Sequence, residues 1–212
     1  LIMMGTGPFA VPTFRVLLQT HHEVVALVTR PTRPRRGKQP APVTPMRDVA
    51  NEHGVTVFDP EDINAEPSIE LLADLDADLL VVCDYGQILS VAALAAARLG
   101  GINLHASLLP KYRGAAPINW ALYHGETETG VTVIHMTPKV DAGPCIAQGR
   151  TLIDPDETAQ QLEERLAEVG AWLTVRAIDS LETGQLQALP QDPALASRAP
   201  RLKKSHGQLD WS

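Results

Sequence analysis

Cysteine is scarce in this sequence: Cys83 and Cys145 are the only two in 212 residues. Their separation fits neither a disulfide framework nor a zinc-ligand spacing. Apolar neighbours make both read as buried, reduced thiols of a cytoplasmic protein. Surplus positive charge is also missing. Eighteen Lys and Arg stand against 25 Asp and Glu, for a net charge of −7. A general nucleic-acid binder needs the opposite balance, so any such contact must come from a local basic patch. No apolar run approaches the roughly 20 residues of a membrane span. Leu1 to Met4 is too short for the apolar core of a secretory leader, and the chain does not open on Met.

Hydrophobic residues make up 44% of the chain, enough for one core of ordinary domain size. Short apolar runs at 2–4, 24–28, 79–83 and 102–105 alternate with helical patterns at 11–18, 46–52 and 91–97. That alternation predicts an α/β fold, a doubly wound, mostly parallel, Rossmann-like sheet. Strand-like runs at 131–136 and 145–152, joined by a turn-rich segment, predict an antiparallel extension. Thr158-Ala159-Gln160-Gln161 has the form of a capping box, and Leu162, Leu166, Val169 and Leu173 follow at helical spacing until Gly184. From Pro190 the composition turns polar and Pro-rich. Residues 1–189 therefore read as one domain and 190–212 as a linker.

Gly5-Thr6-Gly7-Pro8-Phe9-Ala10 fits the dinucleotide fingerprint G-x-G-x-x-A in form. Two features weigh against that use. The acidic residue expected about 20 positions on is missing, with Arg30 nearby instead. Pro8 also removes a backbone N–H where a phosphate would be cradled. A tight turn packing strand against helix is the simpler reading. An NADP-dependent oxidoreductase remains the alternative of a different class.

On a strand over 102–105, Asn103 and His105 share a face while Ile102 and Leu104 point into the core. An amide donor and an imidazole on one face can act together on a developing oxyanion. The same pair could equally satisfy nearby loop backbone. Their context is more specific. The stretch Asn103-x-His105-x-Ser107-Leu108-Leu109-Pro110-x-Tyr112-Arg113-Gly114 resembles the signature of the 10-formyltetrahydrofolate-dependent formyltransferases. Val140-Asp141-Ala142-Gly143, residues 114–122 and residues 125–132 continue the resemblance. Two places depart from it: the first turn, and Cys83-Asp84-Tyr85-Gly86, where a more apolar run is usual.

The resemblance implies the formyltransferase fold, with Asn103, His105 and Asp141 as the catalytic triad. It implies 10-formyltetrahydrofolate as cosubstrate and no metal. The folate would lie against Tyr85, Gly86, Gln87, Ile88 and Leu89, Ser107, Leu108, Leu109 and Pro110, and Lys139 and Val140. Ile88 and Leu89 read equally well as pocket wall or core. Ser107 lacks the G-x-S-x-G setting of a nucleophile. Arg33-Pro34-Arg35-Arg36-Gly37-Lys38, with Leu209-Asp210-Trp211-Ser212, points within the family to methionyl initiator tRNA as the acceptor. A nucleotide amino sugar or a ribonucleotide amine is the alternative acceptor. Between Glu23 and Asp48 there is no acid, yet Arg30, Arg33, Arg35, Arg36, Lys38 and Arg47 all fall there. That is the local basic patch an acidic chain would need, with Arg33, Arg35, Arg36, Lys38 and Arg113 as substrate contacts. The full-length enzymes of the family carry a further C-terminal β-barrel, toward which 190–212 would lead. Such a protein would be cytoplasmic, with no membrane contact and no obligate protein partner.

Overall fold

The computed structural model describes residues 1–32 and 44–207. Among the described residues seven strands form one sheet: β1 Ile2–Met4, β2 Ala26–Val28, β3 Thr56–Phe58, β4 Leu80–Val82, β5 Gly101–His105, β6 Glu128–His135 and β7 Cys145–Leu152. Their order is β3-β2-β1-β4-β5-β6-β7. The first five are parallel, and β6 and β7 extend the sheet antiparallel. This is the α/β sheet with antiparallel extension that the alternation of runs predicts.

The parallel strands are continuously apolar because both faces are covered. Met3, Leu27, Val81, Ile102 and Leu104 pack on one side. There they meet α1 (Val11–Leu17), α2 (Pro45–His53) and α6 (Ala159–Glu182). Ile2, Met4, Val28, Leu80 and Val82 pack on the other side, against α3 (Glu66–Asp74) and α4 (Val91–Ala95). The side-chain period of two thus splits one short run between two cores.

Helix α6 has 24 residues and opens with the predicted capping box, both halves of which form. It lies close on the sheet because Gly170 has no side chain: a Cβ there would meet Leu104 Cδ2 at 2.7 Å. Helix α5 (Pro117–Tyr123) lies between β5 and β6 in the chain. Strand β3 and helix α3 do not stand out in the sequence. The first is three residues at a half-exposed edge, and only Ser68 and Leu72 of the second are buried.

Two expectations need correction. Cys83 is buried, but Cys145 is only half-buried, because it begins an edge strand. Nor is the start of the 190–212 segment free of the domain. Arg113 N donates to Ser197 O at 2.9 Å, Ala199 N to Arg113 O at 2.7 Å and Ala116 N to Ala199 O at 3.1 Å. The Trp120 indole adds a 2.7 Å bond to Pro200 O. A polar, Pro-rich stretch can be ordered when its backbone pairs with a neighbouring loop, which composition does not report.

Candidate active site

The chain leaves β1 for β2 and β3, then crosses back to β4 on the other side of β1. Ligands of open α/β sheets bind at such a reversal, beyond the carboxyl ends of the strands. A cleft of about 570 Å³ lies there. Its walls come from the loops after β1, β4 and β5, from the β6–β7 loop, and from Glu163 of α6.

Asn103, His105 and Asp141 all line this cleft. Strand β5 points Asn103 and His105 to one face, while Ile102 and Leu104 enter the core as their alternation requires. Asp141 sits in the β6–β7 loop with φ 49°, a left-handed conformation that Asp adopts more readily than most residues. Its carboxylate accepts from Gly114 N at 2.9 Å and from Asn103 Nδ2 at 3.4 Å. His105 Nδ1 stands 3.6 Å from the same carboxylate. The other ring nitrogen, Nε2, is 2.9 Å from Tyr112 O. A carbonyl only accepts, so Nε2 carries the hydrogen and Nδ1 is the nitrogen that faces Asp141.

One residue of the strap over 190–201 holds this arrangement together. Gln191 Nε2 donates to Asp141 O at 2.9 Å and to Gly143 O at 2.7 Å. Its Oε1 accepts from Arg113 Nε at 3.0 Å and from an Arg113 terminal nitrogen at 2.6 Å. One amide therefore ties the Asp141 loop to the loop that supplies Gly114. Arg113, expected as a substrate contact, has its guanidinium engaged inside the protein. No sequence signal marks Gln191, because its partners lie 48 to 78 residues away.

Of the expected folate contacts, Tyr85, Gly86, Gln87, Ile88, Leu89, Lys139 and Val140 line the cleft. Ile88 and Leu89 divide the two readings between them: Ile88 is 63% exposed at the cleft, whereas Leu89 is 1% exposed in the core. Tyr85 is buried, and that burial raises its phenol to about 12. Ser107, Leu108, Leu109 and Pro110 do not line the cleft. Ser107 is fully buried, and its hydroxyl donates to Lys111 O at 2.7 Å. Thr132 Oγ1 and Gln148 Nε2 take the carbonyls of Ser107 and Leu109, each at 2.7 Å. These residues brace the loop from below. Arg33, Arg35, Arg36 and Lys38 lie outside the described residues, as do 209–212.

The glycine turn serves packing. A Cβ on Gly7 would overlap the Asp84 carboxylate, so Gly7 makes room for that side chain. Asp84 itself is a cleft residue that sequence reasoning passed over. Its side chain opens to the cleft, yet protein crowds it. That desolvation, with the Glu163 carboxylate nearby, raises its carboxyl to about 6. Burial and Glu164 raise Glu163 as well. An acid directly after an apolar strand, at its carboxyl end, is the signal that was available.

Residues 1–178 match the family model described as formyl transferase. This chain belongs to that family. It is 50% identical to a methionyl-tRNA formyltransferase of Rhodopirellula baltica, over 100% of this chain and 66% of that protein. It is 45% identical to one from Citrifermentans bemidjiense, over 100% of this chain and 67% of that protein. The formyltransferase chain thus spans about two thirds of the length of these relatives. An N-formyltransferase from Helicobacter canadensis, solved with folinic acid and dTDP-3-aminofucose, has the same fold. It aligns with a TM-score of 0.73 and 19% identity, covering 94% of this chain and 70% of that one.

Proposed function

We propose that this chain transfers the formyl group of 10-formyltetrahydrofolate to the amino group of methionyl initiator tRNA. The observation that carries the chemistry is the convergence of Asn103, His105 and the Gly114 amide on the Asp141 carboxylate, in a cleft at the strand-order reversal. The acceptor is supported by relatives of that name at 45–50% identity over the whole chain.

The folate presents its formylated N10 to the triad, with Ile88 and Val140 as exposed apolar wall. The amine nitrogen attacks the formyl carbon, and the carbonyl becomes a tetrahedral oxyanion. Asn103 Nδ2 and protonated His105 Nδ1 donate to that oxygen; a donor of this kind is typically worth about 10²–10³ in rate. Asp141 takes the proton that the amine loses, directly or through water. The carbon–N10 bond then breaks, N10 receives a proton, and the formyl group stays on the acceptor. The Nε2 bond to Tyr112 O keeps the imidazole turned so that Nδ1 does this work.

Arg33, Arg35, Arg36 and Lys38 contact the acceptor end of the tRNA, and residues 190–212 lead toward a C-terminal β-barrel. This acceptor makes the enzyme cytoplasmic. Among the described helices none is long and apolar enough to cross a membrane.

Offering methionyl-tRNA and a nucleotide amino sugar side by side in a formyl-transfer assay tests the acceptor. Preference for the sugar would overturn the assignment. Changing Arg35, Arg36 and Lys38 together to Ala should weaken tRNA binding with folate binding unchanged. The slope of log K against log[salt] should flatten by somewhat under about one unit per lost phosphate contact. Unchanged tRNA affinity would leave a small amine as the better acceptor.

A further inference from the structure

His21 and His22 stand in the turn between α1 and β2, where the sequence suggests only surface or capping roles. Folding brings the last turn of α6 against them. His22 Nε2 is 2.9 Å from Asp179 Oδ1, and His21 Nε2 is 3.2 Å from Glu182 Oε2. The two pairs are not separate. One ligand atom from each of the four residues lies within 4.8 Å of all the others.

We propose that His21, His22, Asp179 and Glu182 form a site for a divalent transition-metal ion of the zinc type, away from the catalytic cleft. The donors are two imidazoles and two carboxylates. That mixed set suits zinc, whereas calcium and magnesium favour all-oxygen sites. Bonds of about 2.0–2.2 Å around a tetrahedral zinc place neighbouring donor atoms roughly 3.3 Å apart. The two measured pairs, at 2.9 and 3.2 Å, are already near that edge. The remaining closure is small for side chains such as His21 and Glu182, which are 67% and 59% exposed.

Three further features favour a central cation over two independent ion pairs. The imidazole centroids are 4.0 Å apart, so both rings bring their nitrogens to one small space. Two carboxylates reach that same space, a charge that a divalent ion balances. Asp179 and Glu182, three apart on α6, share one helix face and sit in its final turn, where the helix dipole favours a cation. Sequence spacing hides the site because 157 and 161 residues separate the paired members. Bound metal would clamp the end of α6 to the α1–β2 turn. None of the four residues lines the cleft.

Titrating the chain with Zn²⁺ by calorimetry, and with Co²⁺ by visible absorption, tests the proposal. The expected result is one equivalent bound in the micromolar range or tighter, with the absorption of tetrahedral Co²⁺. Zn²⁺ should raise the melting temperature above that in EDTA. Asp179→Asn with Glu182→Gln keeps the side-chain shapes and should weaken binding at least about 10-fold. His21→Ala with His22→Ala should do the same, and the isosteric acid pair decides alone if the histidine pair fails to fold. Formyl transfer should be unchanged in the acid pair and in EDTA. Absence of stoichiometric binding, or binding that survives both pairs of substitutions, would overturn the site.

Discussion

Two aspartates face the same cleft in the same backbone conformation, Asp84 with φ 46° and Asp141 with φ 49°. Their surroundings differ. Asp141 is held from every side. A backbone amide and the Asn103 amide reach its carboxylate, His105 stands beside it, and Gln191 fastens its carbonyl. Among the described residues no hydrogen bond reaches the Asp84 carboxylate. Crowding and Glu163 push its acid strength down instead. Identical side chains in similar backbone geometry thus meet different surroundings. Hydrogen bonds fix the position of one, and the other, crowded and without them, is partly protonated at mildly acidic pH.

The largest effect should come from the tethered side. Asp141→Asn and His105→Ala are each expected to lower formyl transfer by at least about 10²-fold with the fold intact, as acid–base and oxyanion roles require. Steady-state kinetics beside circular dichroism would check this. Near-parental turnover in both variants would remove the mechanism. Asp84→Asn in the same assay should leave turnover at neutral pH within a few-fold, and a loss equal to that of Asp141→Asn would erase the difference between the two.

A smaller effect is expected when the tether is loosened and the carboxylate kept. Gln191→Ala removes the amide that joins the Asp141 loop to Arg113. Since a misplacement of about 1 Å can cost up to 10²-fold, we expect a fall on the order of 10-fold in kcat. KM for the folate should change little, because Gln191 does not line the cleft. A loss confined to KM would mean that Gln191 shapes binding and does not position Asp141.

The smallest effect concerns stability and pH. The carboxyl of Asp84 is raised in the folded chain to about 6, so the native state holds a proton there that the unfolded state has released. Stability from this group is therefore present below the ordinary Asp range and is lost as pH rises toward 6. Asp84→Asn should remove that loss. Solvent screening at this open side chain limits the gain at neutral pH to about 1 kcal/mol or less. Denaturant titrations of both proteins at pH 4.5 and 7.5 would show it as a difference that grows with pH. A constant difference would mean that Asp84 titrates normally.

Much of this molecule was legible in the chain. The apolar runs that became β1, β2, β4 and β5 are short and unbroken because both sheet faces are covered. The Thr158 capping box formed as written, since capping depends on residues within one turn. Asn103 and His105 share a face by the period of a strand alone. Ser107 to Pro110 follow the motif in the chain, but contiguity says nothing about which side of a loop faces the cleft. The strap over 190–201 misled because its order comes from pairing with residues 113–120, not from its own composition.

The sequence by itself determined the sheet apart from β3, its antiparallel extension, the family motif and the shared face of Asn103 and His105, because each depends on neighbours or on a fixed period. Only the tertiary structure decided which carboxylates carry tethers, that Gln191 joins two loops, and that His21 and His22 meet Asp179 and Glu182. Those outcomes depend on groups up to 161 residues apart. Their distances are set by how α6 and the closing strap pack against the sheet, and no local pattern in the chain encodes that packing.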